Sequence, residues 1–447
     1  MKRRGLLLGA ASIGFASASR GAARTLASFG ARGNGDADDT AALVRALTDY
    51  EGDLVIAAGT YRYARTLQLR GSGRSIRFEP GAVLMGDDPS VSGLEIRQAT
   101  GVTLAGASLA WRREPRQRIR FGAGVLVMGG ADVRVERVRV EGFEGAGLLF
   151  ESCQRPVVSG ARVRKTSADG VHFANCGQSL AEDIDCQDTG DDGLAFVNYR
   201  RLPDASGGTA RRIVVTNSNA RGITVVGQSD VNVSEFRITR TRGSGIYVAQ
   251  EDSYATRFPH NAVFERGTVD QAGAIEGRAG NKCGAELVRA HNARLSSITI
   301  SHSRSRLVGV NGATGTLRMS NLTLRDNTDG EGVYIQASEQ VQMNDCRVTN
   351  AFNTGLYAKD LQMLEVSGVE LEACAERGAS RTAVWLENVR DLRARFGKVE
   401  ASPGMASPAR VVLRGIGAGA LSVPSASAGR RVSVMAEESP TLGVELR

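Results

Sequence analysis

Three aspartates sit in two short stretches of similar build. KTSADGVHFANC carries Asp169 before Gly170, and CQDTGDDGLAFV carries Asp191 and Asp192 before Gly193, with Asp169 and Asp192 23 positions apart. One carboxylate before a glycine is ordinary turn chemistry, since Asp bonds nearby backbone N–H groups and glycine tolerates a left-handed backbone. Three carboxylates brought together repel one another, so one is driven to keep its proton or the group takes up a cation. The first outcome sets an acid beside a base, the pair that general acid–base catalysis requires. The second gives an oxygen-rich site suited to calcium.

Whether the three meet depends on the elements that carry them, and the sequence answers with a repeat. Gly124, Gly147, Gly170 and Gly193 stand at intervals of 23; Gly222 follows after 29 and Gly245 after 23, and Gly332 and Gly355 are again 23 apart. After each glycine the pattern has the period of two expected of a strand. Leu148 and Phe150, Val171 and Phe173, Leu194 and Phe196, Ile223 and Val225, and Ile246 and Val248 face inward. Val133 and Val135, then Val138 and Val140, mark two more short strands, giving three per repeat. A unit of that length cannot close a core alone, so the units must stack. The expected fold is all-β: a single-stranded right-handed parallel β-helix over residues 61–401. A leucine-rich horseshoe would need an LxxLxLxxN signature, which is absent, and a propeller would need repeats nearly twice as long. Stacking sets Asp169 and Asp192 one inter-strand distance apart, ~4.8 Å. The six extra residues before Gly222, within YRRLPDASGGTARR, and the blurred stretch from about Glu251 to Gly309 are insertions of the kind that border a binding surface.

The ends and the composition narrow the class. MKRRGLLLGAASIGFASASR has a basic start, a short apolar stretch and small residues near Ala16 to Ala18, so residues 1–18 read as a cleaved export signal. The Arg3-Arg4 pair resembles a twin-arginine signal, which makes the twin-arginine translocase a partner during export and the location periplasmic or secreted. No later segment is apolar enough for a membrane span. The formal charge of +8 falls to +5 once the three charges of Lys2, Arg3 and Arg4 are removed, and no dense basic run points to nucleic acid. Residues 26–60 form a cap segment: Asp38 and Asp39 precede an amphipathic helix with Leu43 and Leu47 that covers the solenoid's apolar end. Residues 402–447, richer in Pro, Ser and Gly, are the last degenerate coils or a second cap. The six cysteines show no CxxC or Cys/His spacing for a zinc or haem site, and no cofactor is expected. Cys153 and Cys176 stack in neighbouring coils as interior thiols, within reach of a disulfide. Oligomeric state is unknown at this level.

FGARGNGDADDTAALVRAL followed by IAAGTYRY resembles the opening of the pectate-lyase superfamily of β-helix proteins. With the arginine pair and the repeats, the chain resembles twin-arginine-exported repetitive members of that superfamily. Within it, SADG and GDDG are similar to the carboxylate motifs of polygalacturonase-type glycoside hydrolases. That resemblance implies cleavage of glycosidic bonds in an acidic, uronate-containing polysaccharide, with Asp192 as acid and Asp169 and Asp191 orienting water. The later motifs depart from the family. Arg221 occupies the family's His position, where it could grip a substrate carboxylate, and the Arg-x-Lys pair falls on Tyr247 and Ala249. An NTDG at Asn327 to Gly330 is out of register. Two alternatives stand beside hydrolysis. One is a lyase with calcium on Asp169, Asp191 and Asp192 and with Arg221 or Tyr247 abstracting a proton; the other is a solenoid that binds glycan without turnover. The outward position two after each glycine holds Leu149, His172, Ala195, Thr224, Tyr247, Tyr334 and Tyr357. His172 and Tyr247 flank the acids as substrate contacts, and Arg200, Arg201 and Arg242 form a basic rim.

Overall fold

The computed structural model describes residues 23–119, 122–277, 280, 282–375, 382–401, 408–424, 426–427 and 430–446. The export signal read at residues 1–18 lies outside the described residues. Strand after strand pairs in parallel with the strand one coil on, and the only antiparallel pair between named strands, among the described residues, is the short one joining Ala426–Ser427 to Arg430–Glu437. The chain is a right-handed parallel β-helix. The face beside the three aspartates is built from Ala146–Glu151, Val171–Ala174, Leu194–Val197, Ile223–Val226 and Ile246–Ala249. The register is continuous: Leu148 pairs with Val171, Val171 with Leu194, Leu194 with Ile223, and Ile223 with Ile246. The six-residue insertion is expelled between strands and leaves this register untouched.

The inward residues read from the period-two pattern, from Leu148 to Val248, are all buried. Phe150, Phe173 and Phe196 stack on one another with ring centroids 5.2 Å and 5.2 Å apart beneath the acids. All six cysteines are buried free thiols, Cys153 and Cys176 included.

Three short strands per repeat hold in the early coils, and the second and third part again at Thr316–Ser320 and Thr323–Arg325. Between these, from Ser179 to Ser301, they merge into one long strand per coil, beginning with Ser179–Thr189, which pairs with both Val157–Ser159 and Arg162–Thr166. The strand bends at Asp183 (φ 56), and Arg212, Glu235, Arg266 and Ser297 repeat that left-handed turn coil after coil. A single residue in this conformation turns the corner while the hydrogen bonds on either side persist.

At the N-terminus, Thr40–Val44 is helical and continues as a wider turn, Arg45–Asp49, with Leu43 and Leu47 fully buried. Asp38 caps this helix through the Thr40 N–H at 2.9 Å. Asp39, expected to share that role, turns its carboxylate back to the N–H groups of Arg32 and Gly33 at 2.7 and 3.0 Å. At the other end, Ala409–Arg414 and Ala418–Val423 still pair with the following coil. Among the described residues no helix is long and apolar enough to cross a membrane.

Candidate active site

The turn that carries the acids is fixed from inside by a row of buried hydroxyls. Thr166 donates to the Ala168 carbonyl at 2.9 Å, Thr189 to that of Asp191 at 2.9 Å, and Thr241 to that of Gly243 at 2.7 Å. Ser218 lies 2.6 Å from the carbonyls of both Asp191 and Arg221. With each turn held this way, the residue before the glycine projects from the same point in every coil. The Gly170 N–H donates to the Asp192 carbonyl and the Gly193 N–H to that of Arg221, so Asp169, Asp192 and Arg221 form one column.

Within the column each carboxylate supports the next coil. Asp169 Oδ1 accepts the Asp192 N–H and Asp192 Oδ1 accepts the Arg221 N–H, both at 2.9 Å. One oxygen of each aspartate is therefore structural and the other is left for chemistry. Asp169 Oδ2 is 2.5 Å from His172 Nδ1, and Asp192 Oδ2 is 3.9 Å from Arg221 Nη1. Asp191, beside the column, meets Arg118 Nη1 at 2.5 Å. An oxygen of each of the three acids lies within 4.8 Å of the others. Arg221 donates to Glu251 at 2.8 Å and lies over the Tyr247 ring at 4.3 Å.

This crowding sets the protonation. Burial, then the neighbouring Asp191, pushes the Asp192 carboxyl well above the usual range, and Arg221 only partly opposes them. Burial, then Asp169, also raises Asp191, against the pull of Arg118. Burial works against the charge on Arg221, but Asp192 and Glu251 outweigh it and hold the guanidinium charged. Burial, then Glu251, pushes the Tyr247 phenol up. The Asp191–Asp192 pair thus titrates as a unit that keeps a proton where isolated carboxyls would have lost it. The three acids could supply oxygens to a cation. Arg118 and Arg221 already provide the compensating positive charge, however, and calcium bound to Asp191 would have to displace Arg118.

The two insertions roof this wall. Tyr199 and Thr256 form an antiparallel bridge, the Arg200 N–H donates to the Ala255 carbonyl, and the Arg257 N–H donates to that of Asn198. Beneath them a cleft of about 110 Å³ is lined by the three acids, Arg118, His172, Tyr199, Arg221, Glu251, Tyr254 and Thr256. The Tyr199 ring lies parallel to the His172 imidazole, with 6.4 Å between centroids and 4° between planes. The roof changes two outward positions: Ala195 and Thr224 are 1% and 0% exposed, because the inserted loops fold over the strand face the repeat had left open.

Of the residues singled out in the sequence, Asp169, Asp191, Asp192, Arg221 and His172 line the cleft together. Tyr247 lies under Arg221. Arg200 sits 3.6 Å from Asp252, Arg201 lies over Tyr199, and Arg242 bonds Asn219 at 2.9 Å; none of the three lines the cleft. The out-of-register NTDG is a turn in which buried Asn327 donates to the carbonyls of Asp329 and Gly330 at 2.7 and 3.0 Å. Arg118, Tyr199, Glu251, Tyr254 and Thr256 were not singled out, because each comes from an insertion. The 31-residue step from Gly93 to Gly124, longer than the repeat, is the sequence signal for the loop bearing Arg118.

A family model described as "Right handed beta helix region" matches residues 204–371. Among solved structures the chain is similar to the family 28 exopolygalacturonase of Yersinia enterocolitica, with TM-score 0.53, 14% identity, and 83% of this chain and 79% of that one covered. It is similar also to a hyperthermoactive exopolygalacturonase from Thermotoga maritima, with TM-score 0.41, 11% identity and 84% and 92% covered. A third is the A-module of a mannuronan C-5 epimerase from Azotobacter vinelandii, with TM-score 0.40, 14% identity and 94% and 97% covered. At these identities the likeness is one of fold. No curated protein matches the sequence.

Proposed function

We propose that the protein hydrolyses glycosidic bonds of a uronate-containing polysaccharide in the roofed cleft. The observation that carries this reading is the set of three carboxylates within 4.8 Å of one another, two of them raised in pKa, with a guanidinium on each side. Asp192 is the acid: its Oδ1 is committed to the Arg221 N–H, and its Oδ2 holds the proton that passes to the leaving glycosidic oxygen as the bond to the anomeric carbon breaks. Asp169, oriented by His172, and Asp191, whose ionised form Arg118 favours against burial and the Asp169 charge, draw a proton from the water that attacks that carbon. The cleft's arginines favour a substrate that brings carboxylates of its own.

The lyase alternative finds less support. Arg221 is clamped between Asp192 and Glu251 with its charge reinforced, so it is a poor base, and the Tyr247 phenol beneath it is pushed up as well. The test is purified protein on polygalacturonate. New reducing ends without the ultraviolet absorbance of an unsaturated uronate, lost in Asp192→Asn, are expected. Unsaturated product, or polymer binding without turnover that Asp192→Asn leaves unchanged, would overturn the hydrolytic reading. We place the mature protein outside the cytoplasm, after export by the twin-arginine route. Replacing Arg3 and Arg4 by lysine should retain it inside; secretion that persists would speak against that route.

A further inference from the structure

Three coils along the same face, part of the active-site wall recurs. The Gly193 N–H donates to the Arg221 carbonyl at 3.0 Å, and the Gly284 N–H donates to that of Arg306 at 3.0 Å, so both arginines stand in the column before the glycine. Each reaches over the tyrosine of the following coil: Arg221 lies 4.3 Å above Tyr247, and Arg306 lies 3.7 Å above Tyr334. Each also pairs with a glutamate at 2.8 Å, Arg221 through Nη2 to Glu251 and Arg306 through Nε to Glu331. The Nη groups of Arg306 are left without a partner among the described residues.

The second clasp differs in its surroundings. In the outward column, Gly309 stands between Glu286 and Tyr334, so one coil presents no side chain where its neighbours present long ones. The resulting notch, about 220 Å³, is lined by Glu286, Arg306, Gly309, Asn311, Tyr334 and Gln336. Its walls are fixed. Tyr357 stacks behind Tyr334 with 5.1 Å between centroids and 2° between planes, the Tyr334 hydroxyl donates to Gln336, and Ser244 donates to buried Glu286 at 2.7 Å.

We propose that this notch is a second saccharide subsite, holding one uronate ring of the same polysaccharide that enters the cleft, with the Arg306 Nη groups on its carboxylate and Asn311 and Gln336 on its hydroxyls. The inference rests on the substrate class proposed above. The rise of one coil is close to the length of one pyranose residue, so a chain laid along the face can meet both sites, three coils or ~14 Å apart. The same guanidinium geometry that suits carboxylates is left half-used here.

Two variants test it. Gly309→Phe fills the notch; its Cβ approaches Cys283 Sγ at 3.2 Å, so its melting temperature is checked alongside. Arg306→Gln combined with Glu331→Gln removes the charge without leaving a bare carboxylate, and decides the matter if the first variant does not fold. In gels cast with polygalacturonate, both variants should lose about tenfold in affinity relative to the wild type, the value of one charge-assisted contact. On the long polymer KM should rise by the same factor with kcat unchanged, while KM on di- and trigalacturonate, too short to span the sites, stays put. Unchanged retardation and unchanged KM in both variants would overturn the subsite, while turnover that is still lost in Asp192→Asn would leave the cleft reading standing. Retardation lost in the variants without turnover by the wild type would keep the subsite and remove the hydrolytic reading. A wild type that neither cleaves nor is retarded would overturn both.

Discussion

The two arginine-on-tyrosine clasps share register, partner type and geometry, yet only one stands in a wall of acids. At Arg221 the preceding coils contribute Asp169 and Asp192 in the same column, and the inserted loops bring Glu251 and a roof. At Arg306 the preceding coil contributes Cys283, the following coil contributes Glu331, and among the described residues no inserted segment lines the notch. The steps from Gly284 to Leu307 and from Leu307 to Gly332, 23 and 25 residues, add little chain here, and the described part of the 39-residue step from Gly245 to Gly284 does not line the notch. In a stacked solenoid the backbone supplies the same projecting point in every coil, so the chemistry at one point is decided by what the adjacent coils and loops place beside it. Crowded, buried acids make the first clasp's neighbours a proton-holding pair; the second, similarly buried but without the Asp191–Asp192 pair beside it, is left as a contact surface.

The largest expected effect bears on that contrast directly. Asp192→Asn keeps the oxygen that accepts the Arg221 N–H and removes the transferable proton, so turnover should fall by about 10²–10⁴, the usual worth of a positioned acid. Arg306→Gln with Glu331→Gln should leave kcat alone. Equal losses in kcat from both would erase the distinction between a reactive clasp and a binding one.

A smaller effect, of roughly tenfold, is expected from Arg118→Ala, because a partly exposed ion pair is screened by solvent. Its signature lies in the pH profile. Arg118 opposes the burial and the Asp169 charge that raise Asp191, so removing it lets the Asp191 pKa climb further. If Asp191 must be ionised to draw a proton from water, the acidic limb of kcat/KM moves to higher pH. A limb that stays in place, or moves the other way, would take Asp191 out of that role.

The repeat made the solenoid and the meeting of the acids legible without coordinates. Glycines every 23 residues with alternating apolar neighbours admit one economical stacking, and Phe150, Phe173 and Phe196 follow it inward. The register of the column from Asp169 through Arg221 follows from the same arithmetic. The roof does not. Arg118, Tyr199 and Tyr254 lie on loops whose paths depend on how one insertion meets another, and the bridge between Tyr199 and Thr256 joins segments with no periodic relation. Ala195 and Thr224 show the cost of that blindness: their alternation marks them as outward, which they are, but the loops above them decide that they are buried. Arg200 and Arg201 illustrate the reverse, since proximity along the chain to the insertion does not place their side chains in the cleft.

The smallest effect separates the two regions by stability rather than rate. Asp192 is raised in the folded protein above its ordinary value of 3.8, burial being the main cause, so folding favours its protonated form. The folded protein then binds more protons than the unfolded chain wherever the pH lies between the two pKa values, and stability falls as the pH rises through that window. Asp192→Asn removes the penalty, because an amide occupies the same space without titrating. The variant should therefore melt higher than the wild type at neutral and mildly alkaline pH, with the gain shrinking as the pH is lowered toward 4 and vanishing below it. The paired carboxylate of the second clasp, Glu331, is bonded to Arg306, so Glu331→Gln should give no such gain at neutral pH. A melting difference for Asp192→Asn that does not depend on pH, or one that grows on acidification, would mean that the carboxylate is charged in the folded state and that the proton assigned to it resides elsewhere.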